Sequence, residues 1–141
     1  MIRVLVGGTF DVLHEGHKYF LREAKKRGDH LIVIIARDEH VKQFKNIVPH
    51  HSEQERVRSV QQSGIADEVV LGHHGSIFDI LSEIKPDVIC LGYDQGVKEG
   101  TLQSELAKRH LNAEIVRLAA FEPQTFKSTK IREALRNTPK S

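Results

Sequence analysis

Two spacings of apolar residues alternate along the chain. Short runs rich in β-branched residues occur at 2–6, 31–36, 69–71, 88–91 and 115–118, each the length of a buried strand. Between them apolar residues recur at helical intervals. The first such segment covers about 16–27, with Phe20 and Ala24 on one face and Gly28 as a stop. Ser52 and Glu55 form a capping box for a helix through about residue 62. Ser76 is placed to cap a helix with the stripe Ile77, Ile80, Leu81 and Ile84, ended by Pro86. A further helix spans 101–110, and Ser128 or Thr129 opens a last one through 136. Strand and helix thus alternate about five times. This predicts a single α/β domain over 1–141: a Rossmann-like, doubly wound, five-stranded parallel sheet with helices on both faces.

In such a sheet a ligand lies outside the carboxyl ends of the strands, where strand order reverses. The loops after the first and fourth strands are therefore the places to search for chemistry.

Composition narrows the class of partner. The 141 residues carry a net charge of +2, with 39% hydrophobic and 28% charged residues. The basic residues are spread along the chain, which suits anionic small molecules and is too mild a bias for nucleic acid. One cysteine, Cys90, excludes an internal disulfide and points to a reducing compartment. Met1 leads straight into a strand pattern with no basic leader, and the longest apolar run, 31–36, is far too short to span a bilayer. A cytoplasmic protein with no membrane partner is expected.

The loop after the first strand reads "GGTFDVLHEGHKYFLREA" from Gly7 to Ala24. It has neither the G-x-G-x-x-G of dinucleotide binders nor a G-x-x-x-x-G-K-[ST] phosphate loop. His14 and His17 instead straddle the start of a helix, where free N–H groups and the helix dipole attract anions. Gly16 lets a ligand approach the backbone. Imidazoles there can donate to phosphate oxygens and stabilise charge in a phosphoryl-type transition state. On the residues alone two other roles stand beside that one. One histidine caps the helix while the other is solvated, or the two share a metal ion, for which a third ligand is not evident.

The whole string decides among them by resemblance. Gly8–Thr9–Phe10–Asp11 followed by His14-x-Gly16–His17 resembles the signature of the nucleotidyltransferase superfamily that carries a "HIGH"-type motif. The resemblance extends over the full chain. It implies that Thr9, Phe10, Glu15 and Gly16 line the nucleotide phosphates and that His14 and His17 contact the reacting ones. It also implies direct in-line attack by an acceptor phosphate on the α-phosphorus of a nucleoside triphosphate, releasing pyrophosphate. Gly92–Tyr93–Asp94–Gln95 follows the fourth strand, on the rim where ribose and base would lie, with Asp94 as acceptor. Ser128–Thr129–Lys130–Ile131 is similar to the superfamily's C-terminal serine/threonine motif, which holds the triphosphate. Lys45 is a candidate for the acceptor's phosphate and Phe121 for packing on a base. The pairs His50–His51 and His73–His74 sit in polar loops and are expected to be solvated.

Within the superfamily the chain looks most like the archaeal FAD synthases (FMN adenylyltransferases), on "HEGHKYFLREAKKRGDHLIVIIARDEHV" and "IKPDVICLGYDQ". Next come the glycerol-3-phosphate cytidylyltransferases, whose tryptophan after the fourth strand is missing here. The archaeal pattern also carries cysteines near the C-terminus that this chain lacks. The resemblance implies transfer of AMP from ATP to FMN. A divalent cation such as magnesium would be bound through the substrate phosphates and not by a protein metal site. A homodimer is left open. With no tryptophan, the slot for the flavin ring falls to aliphatic side chains, Phe44 or Tyr93. A nucleotide-binding sensor without chemistry is the alternative from another functional class.

Overall fold

The computed structural model describes residues 1–45, 48–92, 95 and 97–119, the side chains of Phe44 and Lys45 excepted. Strand β1 (Arg3–Gly8) sends Val4 and Val6 to one side and Leu5 to the other, and all three are buried. β2 (His30–Ile35) does the same with Leu31, Val33 and Ile35 against Ile32. So does β4 (Val88–Leu91), with Val88 and Cys90 against Ile89 and Leu91. Burial on both faces is why these segments read as continuous apolar runs and not as alternating ones.

The two faces are covered by different helices. Val4, Val6, Val33 and Cys90 pack with Leu21 and Ala24 of α1 (Glu15–Lys25) and Val60 of α3 (Glu53–Ser63). Leu5, Ile32 and Ile89 pack with Leu81 and Ile84 of α4 (Leu81–Ile84) and Leu102 and Leu106 of α5 (Glu99–Lys108). With β3 (Glu68–Leu71) and β5 (Glu114–Arg117) the sheet has the order β3-β2-β1-β4-β5, and every pairing is parallel. The expected doubly wound α/β fold is therefore present. Its order reverses between β1 and β4, the position at which such sheets bind ligands.

Three local expectations need correction. Helix α2 (Asp38–Lys45) was not foreseen, because DEHVKQFK offers too few apolar positions to show a helical stripe. The helix expected from Ser76 is only the single turn Leu81–Ile84. The Ser76 hydroxyl caps a turn instead, accepting the N–H of Phe78 at 3.2 Å. Ile80, Leu81 and Ile84 are buried as the stripe requires, but Ile77 is 42% exposed. Gly28 lies beyond the end of α1, and its place has a steric reason. A Cβ there would lie 2.6 Å from side-chain carbons of both Ile2 and Val4, so the turn into β2 passes directly over β1.

Candidate functional site

The chain leaves β1 at Gly8 and turns through Phe10, whose backbone is left-handed at φ 49°. That turn folds the Phe10 ring beneath the site, 5% exposed and against Gly8, where a Cβ would meet it at 2.9 Å. The same ring meets His17 edge-on, with centroids 5.3 Å apart. Phe10 therefore packs in the core against a histidine of the site.

His14 is the N-cap of α1. Its Nδ1 accepts the N–H of Gly16 at 3.1 Å and that of His17 at 3.4 Å, and the His17 Nδ1 accepts the His14 N–H at 3.4 Å. This is a capping box built from two imidazoles, satisfying helix N–H groups that would otherwise lack partners. A backbone N–H only donates, so both Nδ1 atoms carry lone pairs, and in the neutral rings the proton sits on Nε2. The rings stack with centroids 3.8 Å apart and planes 14° from parallel. The capping role is thus present in both residues, and in each neutral imidazole the N–H lies on Nε2, away from the capping nitrogen. Glu15 is largely exposed and lies 3.6 Å from Lys18, while Gly16 contributes its N–H to His14.

Arg56, on α3, reaches this loop from below and is wholly buried. Its Nη1 donates to the carbonyls of Thr9 and Ala36, both at 2.9 Å; its Nε donates to the His51 carbonyl at 3.2 Å, and Nη2 pairs with Asp38. One side chain so joins the end of the β1 loop, the end of β2 and the start of α2. Asp11 makes a second tie, accepting the N–H groups of His50 at 2.8 Å and His51 at 2.9 Å. Burial pushes the Asp11 carboxyl up, but these bonds outweigh it and hold it below the ordinary aspartate range.

The histidine pairs in the other loops are not simply solvated. His51 Nδ1 lies 3.0 Å from the Asp11 carbonyl, His73 pairs with Glu83 at 2.7 Å and His74 with Glu39 at 2.9 Å. Distant carboxylates and carbonyls, brought near only by the fold, hold them. On the far side of the crevice, Gln95 bridges the two central strands. Its Oε1 accepts the Gly92 N–H at 2.7 Å and its Nε2 donates to the Gly7 carbonyl at 3.0 Å.

A cleft of about 200 Å³ opens at the carboxyl edge of the sheet. Gly7 and Gly8 form part of its floor, Ile34, Phe78, Leu81 and Leu102 its apolar walls, and His40, His73 and Gln95 its polar margin. Of the residues expected here, Asp94, Phe121, Ser128 and Thr129 lie outside the described residues, and Lys45 is described in its backbone alone. Gln95 closes the Gly92–Gln95 motif, though no role marks it in the sequence, and the signal for Arg56 is an arginine four residues before Val60, on a helix face that should be apolar.

The cytidylyltransferase-like family model matches residues 5–134. The chain is 46% identical to the FAD synthase of Archaeoglobus profundus, over all of this chain and 90% of that protein. It is 47% identical to the FAD synthase of Ferroglobus placidus, over 96% of this chain and 88% of that one. Among solved structures, a lipopolysaccharide core biosynthesis protein from Thermoplasma volcanium superposes with a TM-score of 0.83. It is 39% identical, over 86% of this chain and 99% of the other. A pantoate-beta-alanine ligase from Francisella tularensis, 14% identical with a TM-score of 0.55, shares the fold.

Proposed function

The chain belongs to the cytidylyltransferase-like family, and from that premise we infer that it is an FMN adenylyltransferase, making FAD and pyrophosphate from ATP and FMN. Proteins called FAD synthase that match nearly its whole length support the assignment. The observation that carries the choice of acceptor is the cleft at the end of β1. A flavin ring needs a broad apolar slot, and Ile34, Phe78, Leu81 and Leu102 offer one next to Gly7 and Gly8 at the carboxyl end of β1. Glycerol phosphate would need only a few polar contacts. We propose that these aliphatic side chains and Phe78 line the slot; the Phe44 side chain and Tyr93, the aromatic candidates, lie outside the described residues.

In the proposed reaction an FMN phosphate oxygen attacks the α-phosphorus of ATP in line. The new O–P bond forms as the bond to the bridging oxygen of the β-phosphate breaks, and that oxygen leaves with pyrophosphate. No covalent enzyme intermediate is formed. His14 and His17 donate from Nε2 to phosphate oxygens and stabilise charge that grows in the transition state. The donors are fixed beforehand by the capping box, so they need no reorganisation during the reaction. Thr9, Phe10, Glu15 and Gly16 are proposed to line the nucleotide phosphates. Asp94, Phe121, Ser128, Thr129 and Lys45 are proposed to complete the nucleotide and acceptor sites.

Among the described residues no three His, Cys, Asp or Glu side chains group so as to hold a metal ion. A divalent cation such as magnesium is proposed as part of the substrate, chelated by the triphosphate and neutralising its charge. No helix among the described residues is long and apolar enough to cross a membrane.

The test is a chromatographic product assay pairing ATP or CTP with FMN, glycerol 3-phosphate or phosphopantetheine under magnesium. FAD and pyrophosphate from ATP and FMN are expected, with CTP a poor donor. Efficient CDP-glycerol formation without FAD would transfer the protein to the cytidylyltransferases. No product from any pair would favour a nucleotide sensor.

A further inference from the structure

Arg117 is the last residue of β5, at the carboxyl edge of the sheet. All five of its N–H groups are used. Nη1 donates to the carbonyls of Gly92 at 2.8 Å and Gln95 at 2.9 Å. Nη2 donates to the Val97 carbonyl and to Glu99 Oε1, both at 2.9 Å, and Nε donates to Glu99 Oε2 at 3.1 Å. A guanidinium has five donors in a fixed fork, so this arrangement leaves it no further partner.

Every acceptor belongs to the segment that joins β4 to α5 or to the first residue of that helix. Water satisfies loop carbonyls at a surface without ordering a long side chain, so three of them gathered on one arginine fix the loop's course. Gln95 ties the same loop to Gly7 of β1 from the other side. Gly92, Gln95 and Val97 are therefore held beside the crevice where the strand order reverses, the position at which a ligand binds. The Arg117 bonds also hold the Glu99 carboxyl below the ordinary glutamate range.

We propose that Arg117 is a positioning residue for nucleotide selection: by gathering the Gly92, Gln95 and Val97 carbonyls it fixes the loop that reads the nucleoside, without touching substrate itself. This rests on the adenylyltransferase assignment, in which that loop borders ribose and base. A side chain that only stabilised the fold would weaken all ligands alike. One that shapes the nucleoside loop must act on ATP more than on FMN, and on ATP more than on CTP.

The experiment compares wild type with Arg117→Met, Arg117→Lys and Glu99→Gln. Calorimetry gives the dissociation constants of α,β-methylene ATP and α,β-methylene CTP, which cannot react. Steady-state assays give KM and kcat for ATP and KM for FMN. In Arg117→Met the ATP analogue should bind about tenfold more weakly and the ATP-to-CTP preference should narrow by a similar factor, the size expected when a site loses its fixed hydrogen-bonding geometry. KM for FMN should rise less than KM for ATP, because most of its slot comes from β1, β2, α4 and α5 and only Gln95 and Val97 from this loop. Arg117→Lys should recover only part of the preference, since an ammonium cannot hold three carbonyls and a carboxylate at once. Glu99→Gln should do less harm than either, because the three carbonyl bonds remain.

If the two analogues weaken by one common factor, or KM for FMN rises as much as KM for ATP, the proposal is overturned. If Arg117→Met fails to fold, Arg117→Lys is judged by the same criteria. Should the wild type make no FAD, it is the acceptor assignment that falls, and the ratio of analogue affinities still decides the role of Arg117.

Discussion

His14 and His17 cap each other: each ring's Nδ1 accepts the backbone N–H of the other residue, and the two imidazoles stack at 3.8 Å. In the proposed reaction, helix stability and transition-state stabilisation fall on the same side chains, and substitution can separate them. His14→Asn retains a good N-cap and should keep its unfolding free energy within about 0.5 kcal/mol of wild type. It loses the Nε2–H donor, so kcat should fall by about 10²-fold or more. His14→Ala should show the same loss of kcat and a further destabilisation of about 1 kcal/mol. His17→Ala should match the kcat loss. ATP affinity should fall far less in all three, since contacts made mainly in the transition state act on kcat. Strong loss of ATP binding with normal turnover of bound ATP would make the histidines binding groups only.

Arg56→Met should be among the most damaging single changes in the described residues. It strands the carbonyls of Thr9 and Ala36 and deprives Asp38 of a fully buried partner. A destabilisation of about 3 kcal/mol is expected in urea unfolding, with no rescue by Arg56→Lys, whose ammonium cannot copy the fork. In protein that still folds, kcat should drop too, because the Thr9 carbonyl is released at the site.

The Asp11 carboxyl gives the loop tie a defined pH dependence. Its folded-state value lies below the ordinary 3.8, so its contribution is present in full above that value. It is lost as pH falls through the lower, folded value. The stability difference between wild type and Asp11→Ala should therefore be constant from neutral pH down to about the ordinary aspartate value and vanish below it. A difference that persists unchanged into strong acid would show that the His50 and His51 bonds do not depend on the charge.

Cys90 should be chemically silent in the native protein. It is fully buried in the sheet, and burial pushes its thiol up to about 11. At pH 8 only about one molecule in a thousand then carries a thiolate, and that one is inaccessible. Iodoacetamide at pH 8 should leave activity intact and label the cysteine only once urea unfolds the chain. Rapid labelling of active enzyme would contradict the burial.

What the sequence disclosed was whatever depends on neighbours along the chain. Ser52 and Glu55 announce their capping box because both partners lie within one turn, and the structure has that box. The five strands were legible because both faces of each central strand are apolar. Helix α2 was hidden because Asp38–Lys45 is held largely by polar partners from elsewhere, such as Glu53 accepting the Asp38 N–H at 2.8 Å. The same holds at the site. His14 and His17 were found through their spacing, but nothing local marks Arg56, whose acceptors come from several separate elements, or Arg117, whose acceptors all lie in the distant segment from Gly92 to Glu99. Their roles exist only once the sheet has brought those elements together.

The strand order has a consequence for the protein's synthesis. β1 lies at the centre of the sheet but is the first strand to be made, and its second partner, β4, begins only at Val88. Until then the nascent chain carries an open, apolar edge along Val4 and Leu5, of the kind that pairs with other chains. At about 5–20 residues per second that interval lasts some seconds. Ribosome-stalled chains ending before residue 88 should therefore engage holding chaperones strongly, and release from them should coincide with the arrival of β4 and not with the completion of any helix.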